Sequence, residues 1–275
     1  MSLKNKGQKV FRLPSEIPDE EWPQPGEFVD ESKRIVDFAQ EKGVTLRVMG
    51  GLAIYLRCKE YEELWKGLKR LGKKVFTDID LAGYGKHRTK ILKIMEELGY
   101  DIWKLSLQRF AGRRYIFYGG RIPMVEVFFD RLQMNHVIEF KGRLEKDKYT
   151  LPLAELLMMK LQIVQINEKD IKDSIILLRA YDIGEDDTVI NGKYIAKVLA
   201  KDWGFYYTFT NNLEKVKSKL QDYQSILSES DIDIVKNRIE KLRDIIEREP
   251  KSLGWKMRAK LGTKVKWYEE VEDWL

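Results

Sequence analysis

The chain has 275 residues, 43% hydrophobic and 34% charged, which suits one large domain or two of ordinary size and excludes low-complexity and fibrous classes. No apolar run approaches the length of a membrane span, and the first 27 residues carry no apolar stretch typical of a signal peptide. Fifty basic against 44 acidic residues favour polyanionic partners weakly; a single cysteine, Cys58, excludes an internal disulfide, and cytoplasmic location is the expectation.

Residues 1–27 hold Pro14, Pro18, Pro23 and Pro25 and read as an irregular arm. A helix is predicted from Glu27 or Phe28 to about Lys42, with Phe28, Ile35, Val36, Phe38 and Ala39 as its apolar positions and Gly43 as its cap. VTLRVM (44–49) reads as a strand ended by Gly50 and Gly51, and residues 52–72 as one helix or two. KVFTDIDLAGY (74–84) alternates strictly and reads as a strand. KHRTKILKIMEELGY is an amphipathic helix closed by Gly99. DIWKLSL, RRYIFYG and RIPMVEVFF read as short strands, the last two joined by a turn at Gly119-Gly120, and NHVIEF as an edge strand.

From Leu151 every periodic segment is helical: LPLAELLMMKLQIVQ, KDIKDSIILLRAYD, NGKYIAKVLAKD, TNNLEKVKSKLQDYQSIL and DIDIVKNRIEKLRDIIERE. The expected architecture is α/β in the α+β sense. A mixed sheet with flanking helices over 28–150 precedes a helical domain over 151–275.

The chemistry concentrates in VFTDIDLA. On an alternating strand Asp78 and Asp80 share one face, and two close carboxylates among apolar neighbours favour a divalent cation between them. The alternative is a strand end whose acids face water. Oxygen-only ligands suit magnesium. In RIPMVEVFFD, Glu126 and Asp130 lie on one face, and either is available as a third carboxylate. Glu126 is the stronger candidate because it stands mid-strand between valines. Gly50 and Gly51, between a strand and a helix, let backbone approach a phosphate at a helix N-terminus. Lys160 is one charge in the apolar run LLMMKLQIV, and must either reach water along its own stem or meet an anion.

Together, Gly50-Gly51, a helix, TDIDL and an acidic strand resemble the DNA polymerase beta-type nucleotidyltransferase superfamily across residues 44–130. The segment after the sheet is similar to that of the abortive-infection-toxin branch. The resemblance implies two magnesium ions on Asp78, Asp80 and Glu126, and a nucleoside triphosphate (NTP) as donor. It further implies attack of an acceptor hydroxyl on the α-phosphorus, with pyrophosphate leaving. It assigns Gly50, Gly51 and Lys160 to the nucleotide, and places Asp130 and Asp170 or Asp173 on the acceptor side. The acceptor is expected to be RNA, a tRNA end in particular, a protein hydroxyl or a small molecule, and the toxin branch adds an antitoxin protein as partner. A non-catalytic nucleotide- or RNA-binding module that keeps the fold is the alternative. The chain departs from the family pattern in the longer interval, residues 52–77, between glycines and aspartates.

Read from the residues alone, Asp170 and Asp173 fit N-terminal helix capping, Asp173 especially. Trp203, Phe205, Tyr206 and Tyr207 suit a core more than a base-stacking surface. Arg109, Arg113 and Arg114 flank a strand and are available either to phosphates or to solvent. His87 and His136 suggest no role.

Overall fold

The computed structural model describes residues 10–70 and 74–271. Helix α1 (Pro25–Glu41) starts where Glu27 returns its carboxylate to the Gln24 backbone N–H at 2.7 Å and Pro25 presets the first turn. It buries Phe28, Ile35, Val36 and Ala39, and ends because Gly43 takes φ +69°. The chain then runs through β1 (Leu46–Val48), α2 (Gly50–Arg57), α3 (Glu62–Gly67), β2 (Ile79–Gly83), α4 (Arg88–Glu97) and β3 (Asp101–Ile102). It continues with α5 (Lys104–Arg109), β4 (Arg114–Tyr118), β5 (Met124–Phe129), β6 (Arg131–Gln133) and β7 (Val137–Glu139). The rest comprises α6 (Leu153–Leu161), α7 (Glu168–Ala180), the short pair β8 (Ile183–Gly184) and β9 (Ile190–Asn191), then α8 (Gly192–Leu199), α9 (Trp203–Lys219), α10 (Glu229–Arg248) and α11 (Leu253–Leu261).

Five strands form a mixed sheet in the order β1-β2-β5-β4-β3, with β2 and β5 parallel and the other pairs antiparallel. The mixed α/β architecture with a helical C-terminal half agrees with the sequence reading. One apolar core runs from Ile17 through the sheet to Ile246, so the two halves share an interior. The arm also joins it: Trp22 is buried and donates to the Phe76 carbonyl at 3.0 Å. Residues 1–9 of the predicted arm lie outside the described residues. Among the described residues no helix is long and apolar enough to cross a membrane.

Four expectations need correction. The strand foreseen over 74–84 is paired only at Ile79–Gly83, because the backbone ahead of it is held by side chains instead: the Phe76 carbonyl by Trp22 and the Val75 carbonyl by Arg70. In DIWKLSL the ladder stops at Ile102 and residues 104–109 coil into α5, leaving Leu105 and Leu107 exposed while Ser106 turns inward. NHVIEF does not extend the main sheet; Val137–Glu139 pairs with Arg131–Gln133 in a separate ribbon. Helix α9 begins at Trp203 rather than near Thr210, since Asp202 caps it through the Phe205 N–H at 3.1 Å.

Candidate active site

The parallel pairing of β2 with β5 sets Asp80 directly opposite Glu126. Asp78 stands just before β2, two residues from Asp80, and all three acids line a cavity of about 610 Å³. A second cavity of about 210 Å³ meets it at Asp78, Asp80, Gly50 and Lys160. The Met49 N–H donates to the Asp80 carbonyl at 2.9 Å, which ties the glycine turn to the acidic strand. Gly50 takes φ +67°, and a Cβ there would lie 2.6 Å from Asp80 Oδ2, so both conformation and space require glycine. Helix α2 opens at Gly50 with no side chain capping it. Its first-turn N–H groups lack the acceptor that a capping side chain supplies elsewhere.

The acids are electrostatically costly. Burial raises the Asp78 pKa, with partial relief from Thr77 and Arg114. Burial and then the Asp78 charge push Asp80 up to about 7. Glu126 is raised well above the usual carboxylate range by burial; Arg114 opposes this, while Asp80 and Asp78 add to it. Arg114 is the diagonal neighbour of Glu126 on β4 and ion-pairs with its Oε2, with its guanidinium 5.0 Å from the Phe110 ring and 4.8 Å from Phe128.

The expected closed triangle of carboxylates is therefore modified. Among the described residues no three His, Cys, Asp or Glu side chains stand grouped to hold a metal, and an arginine engages Glu126 instead. The donor set still fits a hard cation. Magnesium commonly uses one or two carboxylates and completes its shell with water and phosphate oxygens, and Asp78 and Asp80 offer that pair. Buried Glu126 Oε1 has no hydrogen-bond partner, an acceptor left unsatisfied inside the protein.

Lys160 is buried on the wall of both cavities and does not stand alone. Its Nζ lies 2.9 Å from Asp173 and 3.0 Å from Asp170. Burial works against its charge, but the two aspartates outweigh that and leave its pKa above the ordinary lysine value. The capping role foreseen for Asp173 goes to Asn167, whose side chain accepts from the Asp170 N–H. Asp173 is instead fully buried and accepts from Arg70 at 2.8 and 2.9 Å as well as from Lys160. Burial alone would raise its pKa; Lys160 and Arg70 hold it below the usual range. Asp170 does line both cavities.

Asp130 is elsewhere. It leaves the strand at φ +65°, accepts from the Gly85 N–H at 2.9 Å, faces Arg88 at 3.7 Å, and is not part of either cavity wall. Strand alternation predicts the Glu126 face for it, but the left-handed turn removes it. Arg109, Arg113 and Arg114 all line the larger cavity. The aromatic run does not: Phe205 stacks on His136 at 4.9 Å, Trp203 on Tyr207 at 5.2 Å, and Tyr206 bonds Glu247.

Residues without an earlier role also enter the site. Arg70 and Lys169 line the smaller cavity, and Arg131, Glu269 and Glu270 the larger. Arg70 lies in the long interval between glycines and aspartates, and the glutamates lie beyond the last predicted helix. Neither segment carries a periodic or motif signal that points to the site. No protein-family model matches this chain, and no curated protein matches it either.

Proposed function

We propose that this chain is a magnesium-dependent nucleotidyltransferase that transfers a nucleoside monophosphate from an NTP to an acceptor hydroxyl. The observation that carries this reading is the register Asp80↔Glu126, with Asp78 on the same cavity wall and the Gly50-Gly51 turn bonded to the acidic strand. Three acids gathered at the meeting of two cavities, each resisting ionisation, are an expensive arrangement for a purely structural role.

Asp78 and Asp80 would hold the cation, whose chemistry is to neutralise the triphosphate and lower the pKa of the attacking hydroxyl. Gly50, Gly51 and the α2 N-terminus offer backbone donors to phosphate oxygens, and Lys160 adds a buried positive charge beside them. Glu126 joins the aspartates when an incoming phosphate draws Arg114 away, which frees both carboxylate oxygens. The acceptor hydroxyl gives up its proton to a site carboxylate or to water, its oxygen bonds to the α-phosphorus, the bond to the bridging oxygen breaks, and pyrophosphate leaves. The resemblance to the polymerase beta-type superfamily supports this order of events, and its toxin branch points to RNA as acceptor.

The Arg114–Glu126 ion pair favours a second reading, a module that binds nucleotide or RNA without catalysing, because it neutralises the third acid without metal. Incubation with labelled NTPs, magnesium and total RNA or cell lysate separates the two. Transfer of label to a macromolecule or metabolite supports the enzyme. Tight binding with no transfer to any fraction supports the module and overturns the enzyme.

A further inference from the structure

The two glycines of the turn are required for different reasons. Gly50 needs its positive φ and room for Asp80, whereas Gly51 must be bare because of Arg70: a Cβ built at Gly51 would overlap Arg70 Nη2. Arg70 follows α3, inside the interval that lengthens this chain relative to the family it resembles.

Its guanidinium is fixed on three sides. Nε and Nη2 donate to the two oxygens of Asp173 at 2.8 and 2.9 Å, Nη1 donates to the Val75 carbonyl at 3.3 Å, and the ring of Trp65 lies 5.3 Å away. Such a fork has one geometry, unlike the rotating ammonium of Lys160, which shares the same Asp173. Arg70 thus presents a rigid cation behind Gly51, on the wall of the 210 Å³ cavity where Lys160 and Lys169 stand alongside the acids Asp78, Asp80 and Asp170.

We infer that Arg70 is a positioning residue for the phosphate chain of the donor. It fixes the Gly50-Gly51 turn with its first N–H groups open toward the smaller cavity, and its charge makes that cavity selective for a polyphosphate. This rests on the nucleotidyltransferase reading for the identity of the donor, but the anion site itself can be measured without metal, acceptor or turnover.

The test is metal-free calorimetry with inorganic tripolyphosphate, and separately with NTP and magnesium, on the full chain and three variants. Arg70→Lys keeps the charge but loses the fork, and should bind tripolyphosphate about tenfold more weakly. Gly51→Ala removes no charge yet pushes the guanidinium off the turn, and should weaken binding similarly. The double variant Arg70→Met with Asp173→Asn removes a buried cation and its anion together, which guards against misfolding, and should lose measurable tripolyphosphate binding while still melting cooperatively. Wild-type affinity in all three variants would reduce Arg70 to a structural residue and overturn the inference alone. Failure of the wild-type chain to bind tripolyphosphate would also overturn it. If the wild-type chain binds neither tripolyphosphate nor NTP with magnesium, the proposed function falls with it.

Discussion

Replacing Lys160 by Met removes a positive charge from between two carboxylates while keeping a side chain of similar length. Nζ lies 2.9 Å from Asp173, which is fully buried, and 3.0 Å from Asp170. Breaking a buried pair by deleting one partner commonly costs about 3–5 kcal/mol, because the remaining charge stays uncompensated. Two features lower that figure. Asp173 keeps both bonds from Arg70, and Asp170 sits in the first turn of α7, where the helix N-terminus favours negative charge.

A loss of about 2 kcal/mol is expected from these opposing effects. Equilibrium urea denaturation at neutral pH, without metal or nucleotide, measures it. A cycle with Asp173→Asn should return a coupling of about 1–3 kcal/mol. Because Lys160 and Arg70 hold the Asp173 pKa below its ordinary 3.8, this stabilisation is complete above that pH and fades as the pH falls below it. A variant as stable as wild type, or a coupling near zero, would refute the charge network. NTP affinity should fall in the same variant, by roughly 1–3 kcal/mol for a lost charge-assisted contact.

Glu126→Gln should abolish transfer while NTP binding largely survives, whereas Asp130→Asn should be near neutral because that acid holds Gly85 and Arg88 outside the cavities; single-turnover kinetics on both decides. Gly50→Ala should destabilise the chain by about 1–3 kcal/mol, from a left-handed φ and overlap with Asp80, measured by thermal melting. Burial pushes the His136 pKa down to about 4 from 6.5, so the folded state holds it neutral. Stability should be intact above pH 6.5 and decline by up to about 3 kcal/mol as the pH falls to 4, and His136→Gln should flatten that decline.

The helices were readable because their apolar spacing and stops are local: Phe28, Ile35, Val36 and Ala39 in α1, and Gly43 and Gly99 at positive φ after α1 and α4. The Asp78, Asp80 and Glu126 set was readable from the spacing of acids among apolar residues, and the parallel β2–β5 pairing brings these acids to one cavity. What escaped depends on contacts distant in sequence. Arg70 meets Asp173 across 103 residues, and the Arg114–Glu126 pair depends on the β4–β5 register. Asp130 was misplaced because a single left-handed residue at a strand end breaks the alternation on which the reading relied. Lys160 read as a choice between solvent and an anion, and two anions from α7 meet it.

The central claim is that Asp78 and Asp80 bind NTP through a divalent cation. Calorimetric titration of NTP into the wild-type chain and into Asp78→Asn with Asp80→Asn, each with and without magnesium, tests it most directly. A gain in NTP affinity on adding magnesium to the wild type, absent from a double variant that still unfolds cooperatively, is the predicted result. Equal magnesium-dependent affinity in the two proteins would contradict it.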